Sequence, residues 1–299
     1  ITDLGVQNVR VTTDAEAVGG FYPVADKDLF DMEYWSLEQA KLGKASPPPL
    51  QGKVTLITGA GGAIGSAIVE LFQTAGAEVV AVDINAEALH KQGFSSKVLL
   101  KTLDLTNVDQ IKQLTNDIVR QYGGVDILVS NAGTALEASI LDMEEDLLRR
   151  SLDINFFAHF HLAQAIGRIF VAQGNCGQML FNISKQAVNP GQNFGAYGLP
   201  KATLMFLVKQ LALELGEHGI RVNGVNADRI RSGMLNENMI ANRAEARGIT
   251  VEKYMQGNLL KREVEAHHVA EAFLNLALSA RTTGHVMTVD GGNIEASLR

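Results

Sequence analysis

Val54-Thr-Leu-Ile-Thr58, Gly59-Ala-Gly-Gly-Ala-Ile-Gly65 and Ser66-Ala-Ile-Val-Glu-Leu-Phe72 follow one another without a break. The first five residues are apolar or β-branched and read as a strand. The glycines read as a tight turn, and the last segment as the body of a helix. Glycines let a backbone come close to a pyrophosphate, and a helix N-terminus offers unpaired N–H groups at the positive end of its dipole. A glycine cluster by itself also serves plain turns. The strand before it and the helix after it are what give it a phosphate-binding reading.

Outward from this unit the same rhythm continues. Strands are predicted at 54–58, 78–83, 97–103, 125–130, 177–183, 219–225 and 285–289. Helical patterns are predicted at 63–75, 108–122, 147–170 and 197–215. Short strands alternating with helices argue for βαβ crossovers. The expected fold is α/β, a single Rossmann-type doubly wound parallel sheet with helices on both faces. Residues 231–261 are polar, Asn-rich and Met-containing and break the rhythm, as a substrate lid does. Residues 1–50 differ in character: acidic and aromatic over 26–35, helical over 36–42, ending near Gly43, then interrupted by Pro47, Pro48 and Pro49. They read as an N-terminal extension and Pro-rich linker ahead of one domain at 51–299.

The 299 residues carry 26 Lys+Arg against 33 Asp+Glu, a net charge of -7, with 46% apolar residues. An acidic chain argues against nucleic acid as partner. No apolar run is long enough to span a membrane. The single cysteine, Cys176, excludes an internal disulfide and a Cys-based metal cluster, and fits a cytoplasmic location. The N-terminus lacks signal-peptide features. It begins with Ile, as expected of a trimmed chain or the C-terminal piece of a longer one.

Asp83 ends the second predicted strand, and Ile84 follows. A carboxylate there accepts hydrogen bonds from a ribose and repels a 2′-phosphate, and the glycine turn contains no Arg or Lys. This favours NAD over NADP. Tyr197 and Lys201 stand four apart at the start of an apolar helical segment, hence on one face. That pair alone is a common surface feature. Three features lift it above that: Ser184 just beyond a buried-type strand, Asn131-Ala132-Gly133 closing another, and Asn155 inside the long helix between them.

Taken together, these residues resemble the short-chain dehydrogenases/reductases over about residues 51–293. The resemblance also includes Asp104-Leu105, Arg221-Val-Asn223 and Asp290-Gly-Gly292. It implies a catalytic tetrad of Asn155, Ser184, Tyr197 and Lys201. It implies NAD contacts from Gly59, Gly62, Ile64, Gly65, Asp83, Ile84, Asp104, Leu105, Asn131, Ala132, Gly133, Tyr197, Lys201, Ala227 and Ile230, and no metal. Tyr197 would exchange a proton with the substrate, its phenol made acidic by Lys201 and the oxidised nicotinamide. Ser184 would hold the substrate oxygen. Lys201 would also hold the nicotinamide ribose. Asn155 would bend its helix and fix a water.

The segments 31–42, 184–191, 259–263 and 282–284 are similar, more narrowly, to the dehydrogenase half of bifunctional aldolase/short-chain dehydrogenase proteins of the rhamnulose-1-phosphate aldolase/lactaldehyde dehydrogenase type. An aldolase domain absent from this chain is the partner this implies. Two departures from the family stand out: Ala63 replaces the middle glycine of the turn, and Ala227-Asp228 replaces Pro-Gly after the sixth strand. Asp228 reads as a charge near the reacting centre and a marker of substrate class.

Oxidising an aldehyde to an acid usually needs a cysteine, and Cys176 has no evident His or Lys partner. The substrate class is therefore a small hydroxylated or sugar-derived molecule, either an alcohol/ketone pair or a hydrated aldehyde such as lactaldehyde. The alternative is a catalytically idle nucleotide-binding or assembly module of such a fusion. The two long helices resemble the family's dimer-forming pair, so a homodimer or homotetramer is expected. His267 and His268 read as a solvated face, and His159 and His161 as pointing to different faces. Met234, Met239, Tyr254 and Met255 read as lid-pocket or core residues.

Overall fold

The computed structural model describes residues 47–293, together with residues 10, 11, 13, 14 and 19. The chain falls into two compact units, Ile1–Pro47 and Pro48–Arg299. In the first, Arg10, Val11, Thr13 and Asp14 are helical and exposed. The acidic–aromatic stretch at 26–35 and the helix expected over 36–42 lie outside the described residues.

In the second unit seven strands form one parallel sheet: β1 (Val54–Thr58), β2 (Glu78–Asp83), β3 (Leu99–Thr102), β4 (Ile127–Ser130), β5 (Gly177–Asn182), β6 (Ile220–Ala227) and β7 (Val286–Val289). The spatial order is β3-β2-β1-β4-β5-β6-β7. β1 and β4 are buried along their whole length. Burial on both faces is why these strands read as near-continuous apolar runs rather than alternating ones.

The helices are α1 (Ala63–Thr74), α2 (Ala86–Lys91), α3 (Val108–Tyr122), α4 (Glu145–Leu152), α5 (Ala158–Gln173), α6 (Gly195–Leu215), α7 (Glu237–Glu245), α8 (Val251–Met255) and α9 (Ala266–Leu278). One face of the sheet is covered by α1 and α9, through Ile68, Val69, Phe72, Val269, Phe273 and Leu276. The other is covered by α3, α5 and α6, through Ile111, Leu114, Ile118, Leu162, Ile166, Phe170, Leu204 and Val208. Each such side chain contributes roughly 1.5–3 kcal/mol by leaving water. Leu50 joins the first core, and its N–H donates to Ala75 O at 2.8 Å, so the domain's packing begins at the end of the proline run.

The chain winds outward from β1 to β3, then returns to β4 on the other side of β1. That reversal opens a crevice at the C-terminal strand ends, where ligands bind in such sheets. Most predicted elements fall within a few residues of the observed ones. The long helix is the exception. α4 and α5 are continuous, but Asp153–Phe157 between them is a π-helical turn, with Asn155 fully buried inside it. A single π-turn widens a helix and redirects its side chains, often at functional sites. Among the described residues no helix is long and apolar enough to cross a membrane, and no group of His, Cys, Asp and Glu could hold a metal ion.

Candidate active site

The strand ends open into one cleft of about 900 Å³. Its floor is the glycine turn. Gly59 has φ +67°, and a Cβ there would lie 2.9 Å from Ala132 Cα. A Cβ on Gly65 would lie 2.0 Å from Gly59 O, so the turn closes only with glycine at that position. Gly62 caps α1 with no side-chain hydrogen bond, and the first turn of α1 carries no acid. By contrast Asn85 and Asn107 cap α2 and α3 with their side chains. The free N–H groups of α1 thus face the cleft uncompensated, as an anion site requires. Ala63 occupies the first helical position and lines the cleft.

Thr58 ties β1 to β4. Its hydroxyl accepts from Asn131 N at 2.9 Å and Ala132 N at 3.0 Å, while Asn131 Nδ2 donates to Thr58 O at 2.9 Å. Asn182 Nδ2 donates to Asn131 Oδ1 at 2.8 Å, and Lys201 Nζ donates to Asn182 O at 2.8 Å. One polar chain therefore runs from the glycine turn to the lysine. Asp83 lies at the other end of the cleft. Its oxygens accept from Gly61 N and Asn85 N, each at 2.9 Å.

Of the residues expected to touch cofactor, Gly59, Gly62, Ile64, Gly65, Asp83, Asn131, Ala132, Gly133, Tyr197, Lys201, Ala227 and Ile230 line the cleft. Ile84, Asp104 and Leu105 do not. Ile84 is exposed beside Asp83, and Asp104 holds Thr106 N at 2.9 Å. Ser184 lines the cleft, whereas Asn155 sits behind it. Asn155 Nδ2 donates to Thr134 O at 2.9 Å, and its Oδ1 accepts from Thr134 N at 3.1 Å.

Ser184 and Tyr197 line the cleft together, and the serine hydroxyl favours the phenolate. Tyr197 and Lys201 are both buried, with Lys201 Nζ 5.8 Å from the ring centroid. Burial is the dominant influence on both groups. Burial pushes Tyr197 up to about 12, against the opposing effect of Ser184. Burial also pushes Lys201 down to about 7. The same loss of water that would strengthen an ammonium's pull also discourages the ammonium from forming.

Two contacts escaped the sequence reading. His159 lies one turn beyond Asn155 and is buried, its Nδ1 2.7 Å from Ser130 Oγ. Burial first, then Lys201, holds its imidazole well below the usual range. The i, i+4 spacing from Asn155 was the available signal. Asp228 was expected as a charge beside the reacting centre; it lines the cleft but is 5% exposed and paired with Lys185 at 3.1 Å. A contact between residues 43 apart leaves no local trace in sequence.

Residues 231–261 lay α7 and α8 along the cleft, packed on each other through Ile240, Ala244, Tyr254 and Met255. Met234, Met239, Arg243 and Tyr254 line it, while Met255 is core. Arg243 donates to Glu137 at 2.7 Å and covers the Phe194 ring. His267 is exposed, and His268 Nδ1 accepts from Glu265 N at the head of α9.

A family described as enoyl-(acyl carrier protein) reductase matches residues 59–293, and one described as aldolase class II, second domain, matches residues 1–42. The chain is 33% identical over 302 residues to the uncharacterized oxidoreductase YuxG of Bacillus subtilis, spanning 95% of this chain but 44% of that protein. It is 33% identical over 253 residues to 7alpha-hydroxysteroid dehydrogenase of Escherichia coli, spanning 82% of this chain and 96% of that one. A solved short-chain type dehydrogenase/reductase from Mycobacterium marinum matches with a TM-score of 0.73 at 31% identity, spanning 81% of this chain and 95% of that one.

Proposed function

The chain belongs to the short-chain dehydrogenase/reductase family, and from that premise we propose an NAD-dependent oxidoreductase acting on a small hydroxylated or sugar-derived substrate. The reaction class, dehydrogenation or reduction at a CH–OH group, is the family's. The preference for NAD rests on one observation. Asp83 lines the cleft with Gly59, Gly62, Ala63, Ile64 and Gly65 and accepts from Gly61 N, so the glycine turn offers a ribose an acceptor and a 2′-phosphate no cation.

The cleft fits a dinucleotide by its chemistry: uncapped helix N–H groups for the pyrophosphate and a carboxylate for the adenosine ribose. When bound, the nicotinamide supplies the hydride acceptor or donor. The chain's own residues handle the proton. Ser184 holds the substrate oxygen through its hydroxyl. Tyr197, a phenol near neutral pH, donates its proton to a carbonyl oxygen during reduction and takes one from an alcohol in the reverse sense. Lys201, anchored on Asn182 O, favours the phenolate whenever it carries its own proton. Asn155 positions the segment at Thr134 beside this machinery.

The aldolase match at residues 1–42 supports reading the chain as the dehydrogenase part of an aldolase/dehydrogenase fusion. Under that reading a lactaldehyde-type substrate would react as its hydrate, because Cys176 is exposed in a loop away from the cleft-lining residues. The test is reduced-nicotinamide formation with a panel of small alcohols and aldehydes, with NAD and NADP supplied separately. NAD is expected to support turnover, and Asp83→Ala is expected to erode the discrimination. Equal use of both cofactors by the unaltered protein would refute the assignment of Asp83.

A further inference from the structure

Asp228 follows the last residue of β6, Ala227. Both oxygens of the buried Asp228 are engaged. Oδ1 lies 3.1 Å from Lys185 Nζ, while Oδ2 accepts from Asn293 Nδ2 at 2.6 Å and lies 3.4 Å from Arg229 Nε. Lys185 follows Ser184 directly. Arg229 has φ +53°, a conformation few non-glycine residues adopt. Its Nη1 donates to Tyr254 O at 2.7 Å, and its guanidinium lies 4.9 Å from the Tyr254 ring centroid. One carboxylate thus joins the serine loop on one side, the segment after β7 at Asn293 on another, and, through Arg229, the lid helix α8. A buried carboxylate is costly unless paired, so removing its charge strands two cations as well.

We propose that Asp228 is the hub of a clamp that couples the lid to the loop carrying Ser184, making Asp228 a positioning residue for the serine hydroxyl. The proposal rests on reading Ser184 as the group that holds the substrate oxygen.

Hydrogen exchange on the full chain tests it, in the unaltered protein, Asp228→Asn, Lys185→Met and the double variant. In each single variant, amides at 184–191 and 237–255 are expected to exchange at least about tenfold faster, with β1 and β4 unchanged. The double variant is expected to be no faster than Asp228→Asn alone, because both remove one interaction. With an alcohol that the unaltered protein oxidises, Asp228→Asn is expected to lower kcat by about tenfold while NAD affinity stays within about twofold, and Asp228→Glu to recover part of the loss. Faster exchange in only one of the two segments, faster exchange reaching β1 and β4, or strictly additive effects would overturn the clamp. If the unaltered protein oxidises no alcohol, the oxidoreductase reading fails, while the exchange pattern still decides the clamp.

Discussion

Tyr197 and Lys201 share one buried helix face, and burial moves them in opposite directions: the phenol up to about 12, the ammonium down to about 7. The lysine has a consequence for stability. Between pH about 7 and 10.5 the unfolded chain holds a proton that the folded chain has released, so stability rises with pH across that window. Below it the cost of burying the charge is paid in full. Tyr197 opposes this above its ordinary value of 10, where the folded phenol keeps a proton the unfolded one loses. Thermal unfolding midpoints measured without ligand are expected to climb from pH 7 toward 9, and Lys201→Met is expected to flatten that climb. An unchanged climb in the variant would mean that another group is responsible. His159 adds an acid limb, because its neutral ring must charge as the protein unfolds below pH 6.5. The glycine turn is the other residue-scale case. Gly65→Ala would put a methyl group 2.0 Å from Gly59 O, a backbone atom that cannot swing aside. It is expected to lower stability by about 1–3 kcal/mol and to abolish NAD binding, read by calorimetric titration.

At the scale of elements, the π-turn Asp153–Phe157 is what presents Asn155 to Thr134. Asn155→Ala would leave the Thr134 N–H and carbonyl without that partner. The expected loss is about 1–3 kcal/mol in denaturant unfolding, together with reduced turnover. Unaffected turnover alongside that loss would make Asn155 purely structural. This helix also shows where sequence reading stops. The strand–glycine–helix unit was legible because each part follows from adjacent residues, and the shared face of Tyr197 and Lys201 was legible from helical spacing. A bend at Asn155 came only with the family resemblance, because one extra residue in a turn leaves no mark on an apolar pattern. Not legible were Lys185–Asp228 and Ser130–His159, which the sheet order brings together from distant stretches. The effect of burial on Tyr197 and Lys201 was hidden for a related reason: spacing locates a charge but says nothing about how much water it has lost.

At the scale of the molecule, α5 and α6 leave Val171, Leu199, Phe206 and Leu213 exposed, and Phe157 of the π-turn is exposed too. Such a surface fits self-association. Light scattering is expected to give a dimer or tetramer, and the pair Phe206→Glu with Leu213→Glu to lower the mass toward one chain. A monomer before any substitution would refute this. The chain spans 44% of the Bacillus protein, and its residues 1–42 match the aldolase class II second domain. On the proposed function, the second unit binds a dinucleotide and moves a proton at Tyr197. The most direct test compares the unaltered protein with Tyr197→Phe, measuring NAD affinity and initial rates of nicotinamide reduction across the substrate panel. The expected result is unchanged affinity and a rate lower by about 10²–10⁴-fold in the variant. Equal rates in the two proteins, or no NAD binding by either, would contradict it.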